Sequence, residues 1–189
     1  LLLVVHPSVP AKTVKELVAI AKKGGMSYSS SGTGTPYHMA GELFKALAGV
    51  DILHVPHKSS GDARTSVMSG QTDMMLDAIT TMLPIAQAGR VRALATSGRT
   101  RSSVAPDLPT IAEAGYPGYE VDAWYGLFVP GRTPAPVVNT WHREVVNALQ
   151  NADVRSRLSG LGLEPVGNSP AEFAAIVKND LERWAAVIK

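Results

Sequence analysis

The sequence predicts an α/β fold built on a doubly wound sheet, and three observations carry that expectation. Short strand-like runs ("LLLVV", "MSYSSS", "DILHV", "TDMMLD", "VRALAT") alternate with helical stretches over residues 1 to about 118. The helical stretches end at glycines, Gly24, Gly49, Gly70 and Gly89, the residue best suited to a left-handed cap. Strands separated by helices of this length are expected to pair in parallel through right-handed crossovers.

"LLLVVHPS" opens the chain as a strand without an initiator Met or a basic leader, as the middle of a larger protein would. In "SVPAKTVKELVAIAKKGG", Thr13 and Glu16 form a capping box, and Val14, Leu17, Val18 and Ile20 or Ala21 recur at helical spacing. "MSYSSS" leads through a Ser/Gly loop into a helix from about Pro36 to Ala48. "DILHVPHK" reads as a short buried strand, followed by a short helix in "SSGDARTSVMSG". "TDMMLDA" is a strand, "TTMLPIAQAG" a helix and "VRALATSG" another strand. Ligands in such sheets bind beyond the carboxyl ends of the strands, so the loops 29–36, 56–61 and 77–81 are the candidates.

From residue 99 the pattern loosens. "GRTRSSVAPDLPTIAEAGYPGYE" reads as a connector with one short helix near Thr110 to Ala114. "VDAWYGLFVP" is expected as a strand, "TPAPVVNTWHREVVNALQ" and "NADVRSRLSGLG" as helices, and "LEPVG" as a brief strand. "SPAEFAAIVKNDLERWAAVIK" is a terminal helix with Ser169 as N-cap, Pro170 in the first turn and Glu172 completing a capping box. Two isolated strands do not make a stable sheet, so they are expected either to extend the first sheet or to have lost their partners.

Composition excludes several classes. With 45% hydrophobic and 18% charged residues, the 189-residue chain can bury a core. A net charge of +2 and 6% aromatic residues, without a Lys/Arg stripe, argue against a nucleic-acid partner. The chain has no cysteine, which removes disulfides, thiolate nucleophiles and zinc ribbons. No apolar run approaches the roughly 20 residues of a membrane helix.

The loop "SSSGTGT" admits several readings. A dinucleotide fingerprint fails, because Tyr37 stands where the third glycine of G-x-G-x-x-G belongs. Neither a Walker loop nor a G-x-S-x-G elbow occurs. Ser30 with His38 or His54 and Asp77 makes a triad only on paper. What remains is backbone N–H groups and hydroxyls at a helix N-terminus, with Thr35 as cap and Pro36 in the first turn: an anion site, or else an ordinary capped loop. "HKSSG" and "DAITT" bring two further helix starts to the same edge. Charge-assisted hydrogen bonds contribute roughly 1.5–3 kcal/mol each, so a few would hold a carboxylate at micromolar affinity.

His38 and Glu42 are spaced i,i+4 as a metal pair would be, but no third ligand is evident, and a polar pair beside the helix is the simpler reading. Asp77 ends an apolar strand at the ligand edge, where it would order water, accept from a ligand or cap the next helix. Lys58 adds positive charge to the mouth or is merely solvated. Trp124 and Tyr125 would line a cleft or enter the core.

"YSSSGTGTPYHMAGELFKALAGVDILHVPHKSSGDARTSVMSGQTDMMLD" resembles the solute-binding receptors of tripartite tricarboxylate transporters, also called the Bordetella uptake gene receptors. Their recurring pattern is Y-A-S-A-G-x-G-[ST]-x-x-H-L-A-G-E-L-F, then H-V-P-Y-K-G, then G-Q-x-D-L-M-F-D. "HPSVPAKTVKEL", "GRVRALATSG", "PDLPTIAEAGYPGYE", "AWYGLFVPGRTPAPVV" and "GLEPVGNSPAEFAA" agree as well, in order along the whole chain. The resemblance implies a periplasmic binding protein-like fold of two lobes. Residues 4–120 would be the ligand-clamp lobe, and 121–189 the C-terminal portion of the other lobe, whose N-terminal portion would be absent. It implies hinges near His6–Pro7 and Asp122–Trp124, and a carboxylate clamp at Ser30, Gly32, Gly34 and Thr35.

Ser31, Thr33, His57, Lys58, Ser59 and Asp77 complete the expected ligand-binding set, with no metal, cofactor or catalytic residue. The family's Tyr and Gly are replaced by His57 and Ser59, which puts the ligand's identity in question, and His57 raises the prospect of pH-sensitive binding. The expected function is periplasmic capture of a small carboxylate for membrane transporter subunits, without chemistry. The alternatives are a hydrolase or transferase using the loop as an oxyanion site, and a sensory module. A chain lacking its sheet partners is also expected to self-associate through exposed strand edges.

Overall fold

The computed structural model describes every residue except Ala123, Leu161, Gly162, Ile188 and Lys189. The chain divides into two compact units, Leu1–Ala123 and Trp124–Lys189. In the first unit, β1 (Leu2–Val5), α1 (Val14–Ala21), β2 (Ser27–Ser30), α2 (Pro36–Ala48), β3 (Leu53–Pro56), α3 (Ser60–Met68), β4 (Met74–Asp77), α4 (Ile79–Gln87) and β5 (Arg92–Thr96) follow in order.

The five strands form one sheet in the order β3-β2-β4-β1-β5. β2 pairs in parallel with β3 and β4, as alternation with helices predicts. β1 departs from that expectation, running antiparallel to both β4 and β5. Val5, its last residue, lies opposite Met74 and Arg92, the first residues of β4 and β5. The connection from β1 to β2 therefore leaves and returns at one edge of the sheet, and no crossover forms. Arg92 holds that connection in place, donating from Nη1 to the carbonyls of Val9 and Ala11 at 2.9 and 3.0 Å. Alternation of elements reports how many residues join two strands, but not the edge at which the chain re-enters.

Local chemistry accounts for the helices. The Thr13 hydroxyl accepts from the Glu16 amide, and Val14, Leu17, Val18 and Ala21 are the buried face of α1. In α2, Thr35 caps, Pro36 occupies the first turn, and Gly49 at φ 61° ends the helix in the left-handed region. Gly41 serves packing: a Cβ there would sit 2.6 Å from Cζ of Tyr28, whose ring is wholly buried against the helix. Ser59 caps α3 through the Asp62 amide at 3.1 Å. One core cluster joins Leu2, Val4 and Met75 of the sheet to Ala63 and Val67 of α3 and Met82 of α4. Elsewhere Phe44 meets Tyr119 edge to face, and Tyr119 donates to the Ala40 carbonyl at 2.9 Å.

β3 is half exposed rather than buried, because it forms a sheet edge, and Leu53 is 68% exposed. Around Thr110 the expected helix is a single turn, closed by reciprocal bonds between Thr110 and Glu113.

The second unit holds α5 (Ala135–Gln150), α6 (Ala152–Gly160) and α7 (Pro170–Val187). The strands expected in "VDAWYGLFVP" and "LEPVG" do not form among the described residues. A strand needs a ladder of backbone bonds to a partner; apart from the single bond from the Val121 amide to the Ser97 carbonyl at 2.8 Å, neither stretch makes one among the described residues. Tyr125, Leu127 and Phe128 consequently remain exposed. Trp124, also partly exposed, packs edge to face on Phe173 at 5.2 Å and donates from Nε1 to Asp180 at 2.6 Å. Ser169 and Glu172 form the expected capping box of α7.

Candidate functional site

β2, β3 and β4 end together at Ser30, Pro56 and Asp77, so the helices that follow, α2, α3 and α4, begin at one edge of the sheet. The first turns of α3 and α4 present unpaired N–H groups there, and helix dipoles favour an anion at such ends. Among the described residues, the Ser60 and Gly61 amides of α3 and the Ile79 and Thr80 amides of α4 donate to no group of the chain.

The loop between β2 and α2 is folded on itself. The Thr35 hydroxyl donates to the Gly32 carbonyl at 2.7 Å and receives the His38 amide at 3.4 Å. Gly32 and Gly34 have φ of 121° and 80°, a region closed to side-chain-bearing residues without strain. The Gly32 amide donates to Ser30 Oγ at 3.2 Å, and the Gly34 amide to His38 Nδ1 at 3.1 Å. The Ser31 and Thr33 amides have no partner among the described residues and stand open.

Under the loop lies a stack of rings. Tyr28 and His54 are stacked at 4.8 Å with an angle of 25° between the rings, and His54 meets His38 at 4.1 Å. Ser30 Oγ is 2.6 Å from His54 Nε2. Tyr28 donates to Glu42 at 2.6 Å, and Lys45 reaches the same carboxylate at 3.0 Å. Burial and the neighbouring His38 push His54 down to about 4, against the weaker pull of Glu42. Burial acts to raise Glu42, but hydrogen bonds from Tyr28 and Lys45 outweigh it and hold the carboxyl below the usual range. Burial, then Glu42, raises the Tyr28 phenol. The cluster is thus one carboxylate and one ammonium around two adjacent, mutually tilted imidazoles, of which His54 is neutral near pH 7.

In the second loop the His57 amide donates to the Ser30 carbonyl at 2.9 Å, tying it to the first. His57 Nδ1 lies 3.0 Å from the Val55 carbonyl, which fixes that nitrogen as the protonated one. Lys58 is exposed with no carboxylate paired to it among the described residues, while Ser59 is engaged as a cap. Asp77 is completely buried, paired with Arg64 Nε, and accepts from the Ala78 amide at 2.7 Å. Arg64, absent from the expected set, cancels the repulsion that a bare carboxylate would exert on an anion. Its pairing with Asp77 spans 13 residues, and nothing in spacing signals it.

Ser30, Ser31, Gly32, Thr33, Gly34 and Thr35 therefore form one loop, with His57, Lys58 and Ser59 in the neighbouring loop and Asp77 beneath the third. Of the triad weighed from the sequence, Ser30 and His54 do meet, but Asp77 is committed to Arg64 and the Ala78 amide. His38 Nε2 stands 4.0 Å from Glu42, and among the described residues no group of three His, Cys, Asp or Glu could hold a metal. Tyr28, His38, Glu42 and His54 were missing from the expected binding set. The i,i+4 spacing of His38 and Glu42 and the weighed pairing of Ser30 with His38 or His54 were the signals that pointed towards them.

This arrangement, a mixed sheet with three helix starts at one edge, is that of the α/β periplasmic binding protein fold. Solved structures share it. MatC from Rhodopseudomonas palustris with bound malate is 34% identical, with a TM-score of 0.87 over 100% of this chain and 66% of its own. An R. palustris protein with adipate is 33% identical, with a TM-score of 0.88 over 98% of this chain and 63% of its own. The periplasmic binding protein BugD is 30% identical, with a TM-score of 0.86.

A family model, the tripartite tricarboxylate transporter family receptor, matches residues 1–189, and the chain belongs to that family of solute-binding receptors, which are not enzymes. The protein of the tcbD-tcbE intergenic region of a Pseudomonas species is 38% identical over 180 residues, 94% of this chain and 54% of its own length. BugT of Bordetella pertussis is 28% identical over 191 residues and 59% of its length. The chain thus spans between 54% and 66% of these proteins.

Proposed function

We propose that this chain is the ligand-clamp part of a periplasmic receptor that captures a small dicarboxylate and presents it to membrane transporter subunits. The open amides of Ser31 and Thr33, facing the edge where α3 and α4 also begin, carry the reading. They offer a carboxylate preorganised donors with no cation to displace and no nucleophile to attack it. Malate and adipate, bound by two of the similar structures, are the first candidates. Residues 4–120 supply the clamp in this proposal, and residues 121–189 belong to the companion lobe. Lys58 adds attraction at the rim, and Arg64 keeps Asp77 from opposing it.

The test is a calorimetric titration of the whole receptor against malate, adipate, tricarboxylates, acidic amino acids and aromatic acids. Micromolar binding of one acid, recovered unchanged, is the expected result. Silence across the panel would sink the carboxylate reading and reduce the 30–35 loop to a capped turn.

A further inference from the structure

The Gly34 amide sits within a loop proposed to bind an anion, yet it is spent on a side chain, His38 Nδ1, at 3.1 Å. An imidazole nitrogen accepts an N–H only through its lone pair, so this bond exists only while Nδ1 is unprotonated. We propose that His38 is a proton-operated latch on the binding loop: neutral, it holds the Gly34 amide, and protonated, it releases that amide to the ligand and adds a positive charge beside it. The proposal rests on the carboxylate reading above and assigns that site a regulation.

Every element packed around His38 bears on its charge. On α2 itself, Glu42 stands 4.0 Å from Nε2, and Lys45 shares the same carboxylate. From β3, the His54 ring lies at 4.1 Å, with its Nε2 on Ser30. From β2, the Tyr28 hydroxyl touches the His38 carbonyl at 3.4 Å and Glu42 at 2.6 Å. His57 follows β3 and acts on the cluster through His54. Glu42, its carboxyl held low by the hydrogen bonds from Tyr28 and Lys45, is the carboxylate nearest the His38 ring.

His54 is held neutral by burial and by its neighbours, so it adds no competing charge at neutral pH. His38 is the ring of the pair that touches the loop. A bound carboxylate prefers the protonated latch, so by linkage binding draws a proton in, and affinity rises as pH falls through the imidazole range.

His38→Asn separates latch from scaffold, because the amide oxygen accepts from Gly34 as Nδ1 does but does not titrate. Without ligand, the Gly34 amide resonance and the His38 ring are followed by NMR from pH 8 to 5.5. A shared midpoint in the wild type, lost in the variant, is expected. In calorimetry with malate and adipate, the wild type should gain affinity approaching tenfold per pH unit across the midpoint, with proton uptake revealed by buffers of different ionisation enthalpy. His38→Asn should show a flat ratio after the ligand's own titration is subtracted.

Identical pH profiles in the two proteins, with malate or adipate bound by both, overturn the latch and leave the carboxylate site standing. A Gly34 amide that ignores the His38 midpoint does the same. If the amide follows His38 but no acid of the panel binds, the coupling and the carboxylate site fall together.

Discussion

Arg64 on α3 donates its Nε–H to Asp77 at the end of β4, joining a wholly buried carboxylate to a guanidinium that still reaches solvent. The pair lies beneath the edge where α3 and α4 begin, and it binds helix to sheet. Arg64→Ala leaves a buried charge without its cation, a change that typically costs about 3–5 kcal/mol. Urea denaturation at pH 7 should show that loss. Asp77→Asn, which keeps an acceptor for the Ala78 amide, should cost clearly less; equal losses would mean that the ion pair is not the reason.

His54 should make stability depend on pH. Its folded value, about 4, lies below the 6.5 of an unperturbed imidazole, so the unfolded chain binds more protons between the two. Stability is therefore full above about pH 6.5 and falls as pH drops towards 4. With solvent screening at this half-exposed ring, the loss is about 1 kcal/mol. His54→Gln should flatten that portion of the stability profile, measured by denaturant midpoints across pH. A slope unchanged in the variant would assign the acid sensitivity to another group.

Gly41→Ala drives a methyl into the Tyr28 ring. Overpacking of this kind costs about 1–3 kcal/mol. Because Tyr28 also bonds Glu42, the substitution should disturb the polar cluster below the loop as well as the core. Thermal melting should fall by several degrees. A melting temperature equal to that of the wild type would show that α2 shifts freely, against the close packing seen here.

Gly32→Ala and Gly34→Ala place a Cβ on backbone at φ 121° and 80°. Strain of this kind costs of order 1–3 kcal/mol, relieved only by reshaping the loop. Dicarboxylate affinity should drop tenfold or more, while the helical circular dichroism signal stays near that of the wild type. Full affinity in both variants would exclude the loop from the site.

Much of the architecture was legible because its causes are local. Thr13, Thr35 and Ser169 cap helices where their side chains reach an amide three residues on, and Gly49 ends α2 because a left-handed residue is needed there; Ser59, expected at the ligand, caps α3 in the same way. The 30–35 loop was recognisable for the same reason, as hydroxyls and glycines next to a helix start. The histidine stack was not. His38 and His54 come from α2 and β3 and meet only because β2 and β3 pair in parallel register, which puts Tyr28 beside His54.

The amino-acid sequence by itself determined where the capped helices begin, where the Ser/Gly loop lies ahead of α2, and to which receptor family the chain belongs. All of these depend on residues within a turn of one another or on motifs read in order. Only the tertiary structure decided that β1 runs against β4 and β5, that the described residues of "VDAWYGLFVP" form no strand, that Arg64 pairs with Asp77, and that Gly34 is held by a histidine whose ring meets one from β3. Strand direction, partner backbone and charge neighbours are set between segments far apart in the chain, where the free energy of a contact depends on what else folds beside it.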